Sequence, residues 1–208
     1  KAIATGLKFI SKYQKKREDK FIIMDSDGED DPKKIKKIIK FIDKNHKTKI
    51  ITMNRTIRKE SFFFSILYEI HLLLTFFITL KYIRFGNFSF LNRKVINSLT
   101  KKKELWLAYS ATLNKFFESK ESILAPRRKR ISGKSKMSYS NLITHSLNIQ
   151  SVYMKNIFYS YIIYSTILIF LCIFKMLNTI TLLLITLLIA HFLILTFNIK
   201  KEKKSISF

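Results

Sequence analysis

Five acids fall within seven residues of FIIMDSDGEDDP (21–32): Asp25, Asp27, Glu29, Asp30 and Asp31. The whole chain has 14 Asp and Glu against 39 Lys and Arg, so this concentration after an apolar run asks for a function. Asp25 and Asp27 stand one residue apart, just beyond what reads as a buried strand at 21–24. Open α/β sheets bind ligands at the carboxyl ends of their strands. Two carboxylates placed there can share Mg2+ or Mn2+ with the oxygens of a substrate diphosphate. Glu29 is a further candidate toward the same substrate. The plainer reading is a solvated acidic turn that caps a helix, and Asp31-Pro32 is a good helix start. A calcium EF-hand loop does not fit, because Gly28 comes too early and no Glu stands at the twelfth position.

A second cluster, RRKRISGKSK (127–136), suits phosphate. Arg127, Arg128 and Arg130 offer guanidinium forks, Gly133 allows close backbone approach, and Ser135 and Lys136 add donors. A basic patch resting on anionic lipid is the competing reading of the same residues.

The elements that must position these groups follow from periodicity. Residues 1–13 carry apolar side chains at helical spacing, and 15–20 form a charged linker. After 21–24, the spacing of Ile35, Ile38, Ile39 and Ile42 predicts an amphipathic helix, and 49–53 (KIITM) a second strand. Strand, helix and strand within so short a span predict a βαβ unit and a parallel sheet. Residues 61–83 are strongly apolar, but Glu69 and His71 fall near the centre, where ionisable groups are costly in lipid. A helix at the membrane surface or against the domain is expected there, with a re-entrant or spanning helix as the alternative. Residues 85–99 read as a strand edge and a helix, 105–117 as a helix, and 123–139 as a basic loop.

The C-terminal part is of another kind. Residues 157–174 give 18 positions without a formal charge, and 177–199 another 23. Each can cross a hydrocarbon core of about 30 Å. Lysines and arginines flank the pair on both outer sides, which by the positive-inside rule puts both flanks in the cytoplasm. A net charge of +25 then reads as a domain lying against anionic membrane lipid, and nucleic acid is not an expected partner. The single cysteine, Cys172, lies in the first span and excludes an intrachain disulfide.

With these segments in hand, the chain resembles family 2 glycosyltransferases that act on polyprenyl phosphate, the dolichol-phosphate mannose synthase type. MDSDGEDDP resembles the family's M-D-[AS]-D-x-Q-D-x-P segment. NRTIRKESFF (54–63) is similar to its R-x-x-R-x-E-S region, which brings in Arg55, Arg58 and Ser61 as substrate contacts. GNFSFLNRKVINSL (86–99) and RRKRISGKSKMSY (127–139) resemble two further stretches in the family's order. Glu29 stands where the family usually has Gln, and Ser89 and Asn92 where Arg and Asp are common.

The resemblance implies a partial GT-A fold, an α/β domain with a Rossmann-like parallel sheet, followed by a two-helix membrane hairpin. It implies a metal on Asp25 and Asp27, with Arg127 and Arg130 beside them in the catalytic set and the remaining Arg127–Lys136 loop contacting phosphate. The activity implied is inverting transfer from a nucleotide-sugar to undecaprenyl or dolichyl phosphate. Another lipid acceptor, or a silent membrane scaffold, are the alternatives. The expected organisation is a catalytic part at 1–122, a basic juxtamembrane segment at 123–152, the hairpin at 153–199 and a basic tail at 200–208. The expected location is an integral membrane protein facing the cytoplasm, in a bacterial inner membrane rather than the endoplasmic reticulum, and a homo-oligomer is compatible with this. The family also opens with a strand and a P-x-[YF]-N-E segment that grips the nucleotide. That part has no counterpart here, so a fragment of a longer reading frame, inactive by itself, is expected.

Overall fold

The computed structural model describes residues 1–13, 20–56, 62–82, 85–126, 128, 138–173 and 178–204. They form two compact units, Lys1–Ile66 with Ile83–Ser138, and Leu67–Tyr82 with Tyr139–Phe208.

The first unit is built on a four-stranded sheet of order β1-β3-β2-β4, from β1 (Lys20–Ile23), β2 (Ile50–Thr56), β3 (Phe85–Asn92) and β4 (Glu121–Pro126). The sheet is mixed, and this corrects the expectation of a parallel one. β1 and β2 run the same way, but they are not neighbours, because β3 lies between them and is antiparallel to both. Only β2 and β4 pair in parallel. The composition of β3 explains its central place. Phe88 and Phe90 enter one core cluster with Ile38, Ile42, Ile51 and Met53, while Leu91 enters another with Ala4, Leu7, Ile50 and Ile96. A strand sealed on both faces belongs inside a sheet and not at its edge. Conversely, β1 is an edge strand with half-buried residues, where a strand covered on both faces was expected.

Helices cover both faces of this sheet. α2 (Ile35–Lys44) buries Ile38 and Ile42 on one side. α1 (Ala2–Tyr13), α4 (Arg93–Leu99) and α5 (Tyr109–Phe116) close the other. Ser89 faces that second layer and shares a 2.7 Å hydrogen bond with the Tyr109 hydroxyl. The position is wholly buried, so the small hydroxyl is accommodated where a guanidinium would be stranded. Burial pushes the Tyr109 hydroxyl well above its ordinary value of 10. Where a loop was expected from 123, β4 continues to Pro126.

The second unit is helical: α3 (Phe62–Thr79) from its sixth residue, Leu67, on, then α6 (Tyr139–Val152), α7 (Met154–Ile173) and α8 (Asn178–Lys204). α7 and α8 run antiparallel, with the Phe158 and Phe192 rings 6.0 Å apart and Tyr161 hydrogen-bonded to His191 Nδ1. His191 Nε2 meets Gln150 of α6 at 2.9 Å, and Asn198 donates to Asn148 and Ser151. Such cross-helix polar contacts join helices where the hydrophobic effect gives little drive between them. α7 and α8 contain windows of 18 and 25 residues that are long and apolar enough to cross a membrane. Only 17% and 11% of those windows are buried, unlike a core helix of a soluble protein. Hydroxyls on them bond back to their own helices, as Ser160 does to the Asn156 carbonyl and Thr166 to that of Ile162.

Candidate functional site

The acidic turn leaves β1 at its carboxyl end and is closed from inside by its own acids. Gly28 has φ 81, a left-handed conformation that glycine adopts without steric cost. The turn thereby brings the Glu29 N–H to Asp27 Oδ1 at 3.1 Å. Asp30 is 6% exposed, and its Oδ2 accepts the Asp25 N–H at 3.0 Å. Asp31 caps the following turn of helix, Pro32–Lys34, accepting the Lys33 N–H at 3.1 Å. The five acids therefore divide: Asp30 and Asp31 hold the turn, while Asp25, Asp27 and Glu29 are half-buried along it.

Asp25 has a neighbour that sequence reasoning missed. Asn87 Nδ2 donates to Asp25 Oδ1 at 3.0 Å. The register of β1 on β3 pairs Ile23 with Ser89, and continued by two residues it sets Asp25 opposite Asn87. Against β2 the same stretch of β3 is irregular: Thr52 pairs with Ser89, but Asn54 pairs with Phe85. Such bulges re-aim side chains, often next to functional sites. The sequence carries one signal for it, an amide in the Gly86-Asn87-Phe88 segment.

Arg128 reaches the same turn. The Arg128 N–H donates to the Glu29 carbonyl at 2.9 Å, and its guanidinium lies 3.4 Å from Asp31 Oδ1. Residues some 97 positions apart in the chain thus meet at one turn. Of the other predicted site residues, Arg55 lies on β2 paired with Ala125 of β4, and only its backbone is described. Arg58, Ser61, Arg127, Arg130, Gly133, Ser135 and Lys136 lie outside the described residues.

The donor chemistry fits a hard divalent cation in kind, since Asp25 and Asp27 offer carboxylate oxygens. In number the site is small: among the described residues, no three of His, Cys, Asp and Glu gather as a metal site. Among the described residues two carboxylates would be offered, with water and substrate phosphate supplying the rest, which Mg2+ accepts readily. No protein-family model, no curated protein and no solved structure matches the chain.

Proposed function

We propose that the chain is part of a membrane glycosyltransferase that moves a sugar, with inversion, from a nucleotide-sugar to a polyprenyl phosphate at the cytoplasmic face. One observation carries this reading: the start of the phosphate-suited basic segment, Arg128, is bonded to the turn that bears Asp25 and Asp27. Anion-binding and cation-binding groups side by side are what a charged donor and a charged acceptor both need.

Asp25 and Asp27 would hold Mg2+ or Mn2+, which when bound supplies positive charge against the donor diphosphate. Asn87 orients Asp25 through its amide, and the Glu29 N–H fixes Asp27. Arg128, with Arg127 and Arg130 beside it in sequence, would take up phosphate charge from the acceptor or the leaving group. An acceptor phosphate monoester is already largely dianionic at neutral pH, its second pKa being about 6, so it needs little help from a general base. Alignment and charge compensation are then the main work of the site. The apolar α7 and α8 would anchor the chain in the membrane that holds a lipid-borne substrate.

A second reading, a non-catalytic membrane scaffold, is favoured by one observation. The carboxylates of Asp27, Asp30 and Asp31 already bond within the turn, and that of Asp31 also meets Arg128, as in a structural turn. The test uses membranes carrying the full-length reading frame, supplied with UDP- or GDP-sugars and undecaprenyl phosphate. A metal-dependent lipid-linked sugar is expected, lost in Asp25→Asn and in Asp27→Asn at unchanged protein level. Transfer that survives both substitutions at the wild-type rate would sink the metal assignment, and no transfer with any donor would leave the scaffold.

A further inference from the structure

A bilayer interior holds no water, so backbone polar groups placed there must find partners within the protein. At the C-terminal end of α3 several polar groups find such partners. The Leu80 N–H donates to the Phe76 carbonyl at 2.6 Å, and the Thr79 hydroxyl to the Thr75 carbonyl at 2.7 Å. The Lys81 N–H then donates to the Thr79 hydroxyl at 3.2 Å. A helix end normally leaves its last carbonyls to solvent. Here the Phe77 carbonyl instead accepts the Tyr164 hydroxyl of α7, at 2.6 Å.

The surroundings of this end are apolar. Leu73, Leu74, Phe76, Phe77 and Leu80 are all exposed, while Ile78 packs on the cluster of Ile157, Tyr161 and Leu195 between α7 and α8. Tyr164 stands nine residues past Lys155, the last charge before the apolar run of α7. Along a helix that is about 13 Å, close to the middle of a hydrocarbon core about 30 Å thick. The exposed arc of α3 is thus continuous with the bare apolar band of the hairpin, at the hairpin's middle depth.

We propose that α3 inserts its C-terminal half into the bilayer beside the hairpin, without spanning it, and that Tyr164 caps its deep end. The occupant of its exposed arc is bilayer hydrocarbon. This rests on the reading of α7 and α8 as membrane spans. Two charges bracket the segment and limit its depth. Glu69 lies eight residues before Phe77, about 12 Å nearer the headgroups for a steep helix. Lys81 follows the left-handed turn at Leu80 (φ 54), and the cost of a charge in hydrocarbon stops the chain from going further.

The experiment measures spin-label depth on the full chain in phosphatidylethanolamine–phosphatidylglycerol vesicles. Single cysteines replace Phe77, Ile167 or Lys47 in a Cys172→Ser background, with Leu74→Cys in reserve should Phe77→Cys fail to fold. The labels at 77 and 167 are expected to meet dissolved oxygen and to be shielded from a water-soluble nickel chelate, with the reverse at 47. A label at 77 that behaves like 47 while 167 stays shielded overturns the insertion of α3 alone. If 167 also meets the chelate, the hairpin reading falls with it. Tyr164→Phe is expected to shift the label at 77 outward, toward the chelate. A depth unmoved by that change removes Tyr164 as the cap.

Discussion

At the scale of single residues, the site depends on a side chain that does no chemistry of its own. Asn87 presents an amide N–H to Asp25 Oδ1 at 3.0 Å, which orients that carboxylate. Partners that orient metal-binding groups typically matter 10- to 100-fold for metal affinity. Asn87→Ala is accordingly expected to weaken Mn2+ binding by roughly 10-fold or more, read by electron paramagnetic resonance of the free ion. Asn87→Asp would bring a third carboxylate to the same point, so its affinity should not fall in parallel. Equal affinity in the wild type and in Asn87→Ala would show that Asp25 is not a ligand or does not need orienting. Asp30 teaches a related lesson. It is an acid in an acidic cluster, yet it is buried and committed to the Asp25 N–H. Nothing in the run of acids distinguishes it from Asp27; burial does.

At the scale of elements, what could be read from the sequence was local, and what could not was pairing. The Asp31 cap, Pro32 at the helix start and the isoleucine stripe of α2 follow from spacing within a turn or two, and the structure has all three. The place of β3 does not follow from spacing, because strand neighbours are chosen by long-range burial. FGNFSFLN carries bulky apolar residues of both faces, and its central position is legible only once α2 and the α1–α4–α5 layer are seen to cover it. The stripe of α2 is buried only in part, at Ile38 and Ile42, since Ile39 is 47% exposed. These placements differ in energy. Phe90→Ala is expected to cost about 3–5 kcal/mol, as for a fully buried aromatic, whereas Ile39→Ala should fall within about 1 kcal/mol of wild type. Urea unfolding in mild detergent, followed by the fluorescence of the single Trp106, would compare them. Similar costs at both positions would contradict the two-layer core described for the first unit.

At the scale of the whole molecule, two physical forces are available to attach the chain to a membrane. One is its net charge of +25, which draws it to anionic headgroups. The other is the pair of apolar windows in α7 and α8, little buried by the protein itself. The two respond differently to salt. At about 1 M ionic strength the screening length falls to about 3 Å, so attraction between exposed lysines and lipid headgroups is largely lost. Hydrophobic insertion is not weakened in that way, and each buried methylene contributes about 0.8 kcal/mol whatever the ionic strength. With so many apolar side chains bare on the hairpin, insertion should win. The chain is therefore expected to float with phosphatidylcholine vesicles, which carry no net charge, and to stay with them through washes at high salt and alkaline pH. Binding restricted to anionic vesicles and reversed by salt would place the charge first, and would make α7 and α8 helices that some other protein surface covers.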